Sequence, residues 1–320
     1  MPLLEVENLT IDYYGRTGTV TAVEDVSFSL EKGRSLGIVG ESGCGKTTLG
    51  MALLRLLPEN GVLRKGSIRF DGQDVPSLSA KELRAFRCKN ISMIFQAAMN
   101  ALNPVHRVGD QVAEAIRIHH PAFSAEKVRK EVAALFDLVD IPAERMGDYP
   151  HQYSGGMKQR AVIAMALSCR PDLVVADEPT TALDVIVQDQ ILRKIREIQE
   201  KLRIAGIFIS HDIGVVAGIC HDIMVMYNGR IIEQGRRDEV FVSPGHPYTI
   251  ALLSSYLTID GVFDLHAEAA EAACDFAGES RPGACGYALH CPRAEADCFV
   301  HPPVWREKSS THRVLCSRTC

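Results

Sequence analysis

A glycine-rich segment of the sequence has the composition and spacing of a phosphate-binding loop. Residues 40–47 read GESGCGKT, follow the apolar run Leu36–Val39 and lead into the helical spacing of Thr47–Leu57. Glycines let backbone N–H groups turn inward around phosphates, and the N-terminus of a helix favours anions. Lys46 can reach the β- and γ-phosphates, and the Thr47 hydroxyl can ligate Mg²⁺. This context disfavours the alternative of an ordinary glycine-rich turn.

Two adjacent carboxylates supply complementary chemistry. Leu173–Ala176 predicts a buried parallel strand that ends in Asp177 and Glu178, at the edge where ligands bind in open α/β sheets. Asp177 can hold Mg²⁺, directly or through water. Glu178 points the other way along the strand and can orient or deprotonate an attacking water. Such a pair alone is more often a helix-capping surface feature, but a phosphate-binding loop upstream favours the catalytic interpretation.

The elements around these residues follow the order that an α/β sheet requires. Residues from about 97 to 165 have mostly helical spacing. Strand patterns return at Leu173–Ala176 and Ile204–Ile209, with the helical Val185–Leu202 between them. Strand, helix and strand at these lengths predict a parallel βαβ unit. Asn228-Gly229 predicts a hairpin further along.

Composition excludes some classes of protein. The chain has 320 residues, a net charge of −5 and 46% hydrophobic residues, which suggests roughly two domains. A mildly acidic chain is weakly disfavoured as a nucleic-acid binder, which needs a basic face. A membrane-spanning helix needs about 20 apolar residues, whereas the longest apolar run, Ala161–Leu167, has seven. The N-terminus lacks the pattern of a secretory signal.

A second glycine motif brings in a family resemblance. Residues 153–160 read YSGGMKQR and, together with the loop at 40–47, resemble the signature motif of ATP-binding cassette (ABC) ATPases. Gln96, Ala182-Leu183-Asp184 and Ser210-His211-Asp212 stand in the order of the other family landmarks. The resemblance covers about residues 3–258.

The resemblance implies an α/β fold. It is that of a P-loop NTPase ABC cassette, with a RecA-like core, an antiparallel β subdomain and a helical subdomain at about 97–165. The expected boundaries are a nucleotide-binding domain at 1–260 and a small Cys-rich C-terminal extension at 261–320.

The signature motif has its own physical logic. Ser154 is expected to cap a helix that starts at Gly155, and Gly155 and Gly156 clear space for a phosphate. The resemblance implies that this helix N-terminus completes the site of another subunit, so that two chains sandwich two ATP molecules head to tail. Asp184 is expected to act across the same dimer interface.

The resemblance also assigns roles near the loop. Tyr13 would stack on adenine, with the adjacent Tyr14 as its competitor. Gln96 would contact Mg²⁺ or the attacking water, and His211 would hold the γ-phosphate and keep Glu178 aligned. The expected catalytic residues are Lys46, Gln96, Glu178 and His211. The expected nucleotide ligands are Tyr13, Ser42, Gly43, Cys44, Gly45, Lys46, Thr47, Thr48, Gln96, Ser154, Gly155, Gly156 and Asp177. The expected Mg²⁺ ligands are Thr47, Gln96 and Asp177.

Three further segments narrow the resemblance. Residues 95–104, 177–184 and 244–248 (PGHPY) look like the peptide/nickel subfamily of bacterial importers, and most like the D-type ATPases of dipeptide and oligopeptide importers. Cys44 stands where that family commonly has Ser. The resemblance implies an ATPase subunit at the cytoplasmic face of the inner membrane that powers solute import.

The expected partners are a second ABC ATPase of the F type, two transmembrane permease subunits and an extracytoplasmic solute-binding protein, with no nucleic acid. The substrate is left open among dipeptides, oligopeptides, nickel complexes and other small solutes. Two rival functions remain at this point. One is a soluble ABC ATPase acting on nucleic acid or ribosomes, and the other is a metal-binding regulatory protein that senses nucleotide.

Cysteines concentrate at the C-terminal end, with four in residues 1–260 and six in the last sixty. The spacing of Cys285, Cys291, Cys298 and Cys316 matches neither a zinc ribbon nor the bacterial ferredoxin run, so spacing shows only four thiols within reach of one ion or cluster. The segment resembles the C-terminal extension of peptide-importer ATPases, which implies a structural [4Fe–4S] cluster on these four residues. The alternatives are zinc, with His290 or His312 as spare ligands, and unligated thiols. Cys274 and Cys320 lie outside the matching pattern.

Overall fold

A computed structural model describes residues 1–16, 18–96, 101–181, 183–260 and 283–318. The strands are β1 Leu4–Gly15, β2 Gly18–Leu30, β3 Ser35–Val39, β4 Gly61–Phe70, β5 Gln73–Asp74, β6 Ile91–Ile94, β7 Leu173–Asp177, β8 Ala205–Ser210, β9 Asp222–Tyr227, β10 Arg230–Arg236, β11 Trp305–Glu307 and β12 Arg313–Leu315. The helices are α1 Lys46–Leu53, α2 Ala80–Phe86, α3 Val108–His119, α4 Ala125–Leu138, α5 Gly155–Ala166, α6 Val185–Leu202, α7 Ile213–Ile219, α8 Arg237–Val242, α9 Pro247–Asp260 and α10 Ala296–Val300.

The larger sheet sets the strands that lead into the candidate site side by side. Its order within the described ranges is β11-β12-β10-β9-β3-β8-β7-β6. Neighbouring strands are parallel along β6-β7-β8-β3-β9. They are antiparallel along β9-β10-β12-β11. Strands β3 and β8 are buried along their whole length, as expected for continuous apolar runs covered on both faces. The carboxyl ends of five neighbouring strands therefore lie at one edge.

Among the residues that the structure describes, two hydrophobic cores lie on opposite faces of this sheet. One fills the space toward α1 and the antiparallel sheet β2-β1-β4-β5, and it includes Leu4, Ile38 and Leu49. The other packs α3 to α7 on the opposite face around Phe136 and Phe208. Within the described residues, no helix is both long and apolar enough to cross a membrane.

Local patterns predict most of these elements, with one clear correction. The helix predicted over Thr47–Leu57 ends at Leu53. The backbone N–H groups of Leu54 and Leu56 both donate to the Met51 carbonyl, and Arg55 has a φ of 52°, so the chain turns out of the helix there. The helical region at 97–165 contains α3, α4 and α5, together with 3₁₀ turns at Ala143–Gly147 and Pro150–Gln152.

The described part of the C-terminal segment, residues 283–318, extends the larger sheet. Strand β12 pairs with β10, placing Val314 opposite Glu233, and β11 pairs with β12. Phe299 of α10 is completely buried. Cys274 and Cys320 lie outside the described residues.

Packing of α7 on β3 generates a stability prediction. A Cβ at Gly37 would lie 1.8 Å from Cγ1 of Val216, so Gly37→Ala should lower the free energy of unfolding by about 1–3 kcal/mol through overpacking. Gly147→Ala is the control, because a Cβ there meets nothing within 4 Å, and its effect should stay within about 0.5 kcal/mol. Chemical denaturation measures both; equal stabilities of the two variants would contradict this packing.

Candidate functional site

The loop between β3 and α1 requires glycine for two separate reasons. Gly40, Gly43 and Gly45 have φ values of 154°, 83° and 103°, which other L-residues rarely adopt. A Cβ at Gly45 would also lie 2.2 Å from the Ala22 carbonyl oxygen. Ser42 and Cys44 lie between these glycines. The loop then enters α1 at Lys46, so Thr47 and Thr48 occupy the first turn of that helix.

Lys46 is buried and folded back over this loop. Its Nζ donates to the carbonyls of Gly40 and Glu41, both at 2.7 Å, and lies 3.6 Å from Cys44 Sγ. Burial raises the pKa of the Cys44 thiol despite the nearby ammonium, so the thiol is neutral and a weak acceptor. A phosphate oxygen is a far stronger acceptor for that third N–H.

Asp177 ends β7 with a carboxylate oxygen that lacks a donor. The residue is 1% exposed, and within the described part of the chain its Oδ1 has no hydrogen-bond partner. Burial raises the pKa of Asp177, opposed by a hydrogen bond from Thr47. A buried carboxylate oxygen without a donor is costly, and a divalent cation satisfies it. Asp177 and Thr47 therefore fit the oxygen-ligand chemistry of Mg²⁺.

Glu178 is held by three side chains. Its Oε1 lies 2.7 Å from His211 Nδ1, and its Oε2 accepts from Gln96 Nε2 and Thr181 Oγ1, each at 2.9 Å. Burial raises the pKa of Glu178, but the hydrogen bonds from His211 and Thr181 outweigh it and leave a net lowering. Glu178 also has a φ of 47°, a strained conformation of the kind that clusters at functional sites.

Strand order explains this convergence. Gln96 follows β6, Glu178 follows β7, His211 follows β8 and the loop follows β3, and these strands are consecutive neighbours in the sheet. Positions separated by more than eighty residues in sequence therefore meet at one edge. The arrangement can hold phosphates, a divalent cation and an ionised carboxylate within one site.

The two tyrosines of β1 have different surroundings. The Tyr13 hydroxyl lies 3.3 Å from Thr48 Oγ1, on the side of α1, and a Cβ on Gly61 would lie 2.8 Å from the Tyr13 ring. Successive side chains on a strand point to opposite faces, and Tyr14 is 51% exposed. Tyr13 is thus the tyrosine beside the loop.

The signature residues begin α5. Ser154 caps this helix by accepting from the Met157 N–H at 3.3 Å, and Ser154 and Gly155 are exposed while Gly156 is half-buried. Asp184 caps α6 in the same way, accepting from the Val187 N–H at 2.9 Å.

The predicted iron–sulfur cluster is wrong. Cys285, Cys291, Cys298 and Cys316 line one small pocket, yet in the described ranges no three His, Cys, Asp or Glu side chains are grouped so that they could hold a metal ion. The zinc alternative is wrong for the same reason. His312, one of its spare ligands, has its Nε2 2.7 Å from Glu233 Oε1 instead. The contacts that hold this segment are the pairing of β12 with β10 and the burial of Phe299, in place of the structural cluster expected from the resemblance.

Sequence reasoning missed three residues with contacts at the site. Thr181 donates to Glu178, Gln159 of α5 donates to the Pro179 carbonyl just beyond Glu178, and the Tyr248 hydroxyl accepts from the Glu41 N–H of the loop. Thr181 and Tyr248 both lie in segments that resemble the importer subfamily. The resemblance therefore marks these segments, but it does not predict which contacts the two residues make. Gln159 is a residue of the signature segment.

The chain matches two known sequence families. They are described as "ABC transporter" over residues 23–181 and "Oligopeptide/dipeptide transporter, C-terminal region" over residues 232–298. It is 45% identical to the dipeptide transport ATP-binding protein DppD of Bacillus subtilis, over 98% of this chain and 94% of that protein. It is 44% identical to the oligopeptide transport ATP-binding protein OppD of Salmonella typhimurium, over 94% of this chain and 90% of that protein.

Solved structures give the same fold. A dimeric post-hydrolysis state of the ATP-binding cassette MJ0796 bound to ADP and Pi matches with a TM-score of 0.66 and 25% identity, over 73% of this chain and 98% of that one. CbiO1 from Clostridium perfringens, part of the ABC transporter complex cbiONQ, matches with a TM-score of 0.66 and 28% identity, over 82% of this chain and 99% of that one.

Loop geometry predicts the effect of one methyl group. Gly45→Ala would force the Ala22 carbonyl away and strain a residue with φ of 103°, so nucleotide binding should weaken at least about tenfold, or by 1.4 kcal/mol. Gly72→Ala is the control, because it imposes a comparable backbone strain at φ of 77° in the turn between β4 and β5. Titration of each variant with a fluorescent ATP analogue in the presence of Mg²⁺ measures the two affinities. Wild-type affinity in Gly45→Ala would show that the loop does not hold phosphates.

Proposed function

The chain belongs to the ABC transporter family, within its dipeptide and oligopeptide group, and from this membership we propose that it is the ATP-hydrolysing subunit that powers peptide import through a membrane transporter. The convergence of Gln96, Glu178 and His211 beside the phosphate-binding loop carries the catalytic part of the proposal. The names of the relatives carry the substrate class and disfavour both a nucleic-acid ATPase and a nucleotide-sensing regulator.

The loop and its neighbours supply the binding site for ATP. Backbone N–H groups of residues 42–48 surround the phosphates, Lys46 contacts the β- and γ-phosphates, and the Tyr13 ring stacks on adenine. Thr47, Asp177 and Gln96 would hold Mg²⁺, which would supply positive charge to neutralise the phosphate oxygens.

Hydrolysis then requires an oriented water beside the γ-phosphate. Glu178 is ionised and fixed by three donors, so it accepts a proton from the water as the water oxygen bonds to the γ-phosphorus and the bond to the ADP oxygen breaks. The Nδ1 of His211 contacts Glu178, so the other ring nitrogen, Nε2, is left to contact the γ-phosphate. Gln96 links this carboxylate to the surface beyond β6.

A second cassette would complete each site. The exposed N-terminus of α5 at Ser154, Gly155 and Gly156 supports a role in binding the γ-phosphate held by the partner cassette, and dimeric cassettes occur among the matched structures. Asp184 contributes at the same interface. The partner is a second ABC ATPase of the F type, which makes the pair a heterodimer.

The remaining partners are two permease subunits and an extracytoplasmic solute-binding protein. Phe95 and Val105 are 45% and 73% exposed on either side of residues 97–100, which supports this surface as the permease contact. The permeases would hold the subunit at the cytoplasmic face of the inner membrane. The domain boundaries proposed are a cassette at 1–260, with its helical subdomain at about 97–165, and a small extension at 261–320.

Glu178→Gln is expected to retain ATP binding, trap the closed dimer and reduce turnover by at least about a hundredfold, since general-base catalysis contributes roughly 10²–10⁴-fold. Glu200→Gln is the matched control, because Glu200 is exposed on α6 and its ion pair among the described residues is with the exposed Arg196. Phosphate release and gel filtration with ATP measure the two effects. A wild-type rate of hydrolysis in Glu178→Gln would show that Glu178 is not the catalytic carboxylate.

Assembly with membrane subunits tests the transport function. The subunit should co-purify with two permeases, and in liposomes its ATPase rate should rise when the solute-binding protein carries peptide. A subunit that hydrolyses ATP but is instead recovered with ribosomes or nucleic acid would retain the ATPase assignment and refute peptide import.

A further inference from the structure

A tyrosine outside the phosphate-binding loop holds that loop in place. The Tyr248 hydroxyl accepts a hydrogen bond from the backbone N–H of Glu41 at 3.0 Å, and Tyr248 is 3% exposed. Burial raises the pKa of Tyr248, so the phenol stays neutral. The Glu41 carbonyl meanwhile accepts from Lys46 Nζ at 2.7 Å. The second residue of the loop is therefore fixed on its N–H side by Tyr248 and on its carbonyl side by Lys46.

The position of Tyr248 depends on a buried carboxylate in β10. Glu233 is fully buried, and its two oxygens accept from the N–H groups of Gly245 and His246 at 2.7 and 2.8 Å. His246 Nδ1 in turn accepts from the Tyr248 N–H at 3.1 Å. Burial lowers the pKa of His246 to about 4, which keeps this ring nitrogen an acceptor at neutral pH. Glu233 and His246 thus fix the backbone on which Tyr248 is mounted.

The C-terminal segment supports the same tyrosine from two directions. His312 Nε2 lies 2.7 Å from Glu233 Oε1, immediately before β12. Tyr287 packs its ring on Tyr248 with centroids 5.4 Å apart, and on Tyr227 at 5.3 Å. Tyr227 also packs on Tyr248 at 4.7 Å. Residues 283–316 therefore reach the phosphate loop through one aromatic cluster and one buried carboxylate.

We propose that Tyr248 is a positioning residue for the phosphate-binding loop, and that residues 283–316 set the affinity of the loop for ATP through it. The proposal rests on the proposed function, since it assumes that the loop binds ATP. A loop already held at Glu41 loses less conformational freedom when phosphates arrive, and such preorganisation strengthens binding. In the described ranges the hydroxyl accepts its hydrogen bond from the loop backbone, so its effect falls on binding of nucleotide and leaves the chemical step unchanged.

The experiment uses the full chain and three variants within one cluster. Tyr248→Phe keeps the ring and removes the acceptor, so the KM for ATP and the Kd for a fluorescent ATP analogue should both rise about three- to tenfold, the range of one hydrogen bond, with kcat unchanged. Tyr287→Phe is the matched control, because it keeps the ring that packs on Tyr248, and both constants should stay at wild-type values. Tyr287→Ala removes the packing contribution of the C-terminal segment and should raise the KM as Tyr248→Phe does.

The split between KM and kcat separates positioning from stability. A merely structural defect reduces the active fraction and therefore lowers kcat at constant KM. A wild-type KM in Tyr248→Phe, or a fall in kcat without a rise in KM, would overturn the proposal for Tyr248. A wild-type KM in Tyr287→Ala would overturn the part assigned to residues 283–316. If the wild-type chain itself bound no ATP, the proposed function would fail instead.

Discussion

The parallel pairing of β3, β8 and β7 is the constraint on which the candidate site depends. β8 lies between the strand that ends in the phosphate loop and the strand that ends in the two carboxylates, with Val39 opposite Ser210 and Asp177 opposite Ile209. A slip of one residue would move His211 by about 3.3 Å and turn the side chains of its strand to the other face. The 2.7 Å contact between His211 and Glu178 would not survive that shift. Complete burial of β3 and β8 holds this register, because any slip would misplace two apolar strands at once.

Two neighbouring carboxylates in this frame have opposite pKa shifts. Burial raises the pKa of Asp177, whose Oδ1 lacks a donor among the described residues. Burial also raises the pKa of Glu178, but the hydrogen bonds from His211 and Thr181 outweigh it and leave a net lowering. When the environments of two neighbouring acids shift their pKa values in opposite directions, the two acids commonly have different roles. Here the separation follows from the partners of each acid, since Glu178 accepts hydrogen bonds from Gln96 and Thr181 and lies 2.7 Å from His211 Nδ1. One carboxylate is left for a cation, and the other is kept ionised toward water.

What the sequence predicts well here is local, and what it misses depends on distant contacts or on the backbone conformation of single residues. The phosphate loop, the strand before Asp177 and the helix of Val185–Leu202 all follow from spacing within about twenty residues. The early end of α1 does not, because it depends on a left-handed residue at Arg55, which has no strong local signal. Gln96 and His211 follow strands other than the one before Glu178, so only the family order of motifs could place them beside it. Thr181 lies three residues after Glu178, but nothing in the local spacing marks it as a donor.

The cysteines show a limit of the family resemblance. Their spacing indicates only four thiols within reach of one ion or cluster, and the resemblance to peptide-importer ATPases implies a cluster. The fold does gather the four thiols at one pocket, but neither spacing nor resemblance establishes that the side chains converge as ligands. No group in the described part of the chain meets that condition. The contacts that do anchor the segment, Glu233 with His312 and Tyr287 with Tyr248, join positions too far apart in sequence for any periodicity to reveal.

The buried Glu233 gives a physical reason why the C-terminal segment and the phosphate loop are joined. A carboxylate removed from water is costly unless its oxygens are paired, and the partners of Glu233 are the backbone of residues 245–246 and the ring of His312. The segment thus contributes one of the three partners that make this burial tolerable, while the other two shape the turn before α9. Because the same turn carries Tyr248 to the loop, the free energy that docks β12 onto β10 also favours one position of Glu41. The buried carboxylate of Glu233 therefore links anchoring of the C-terminal segment to order in the phosphate loop, alongside the ring contact of Tyr287 with Tyr248.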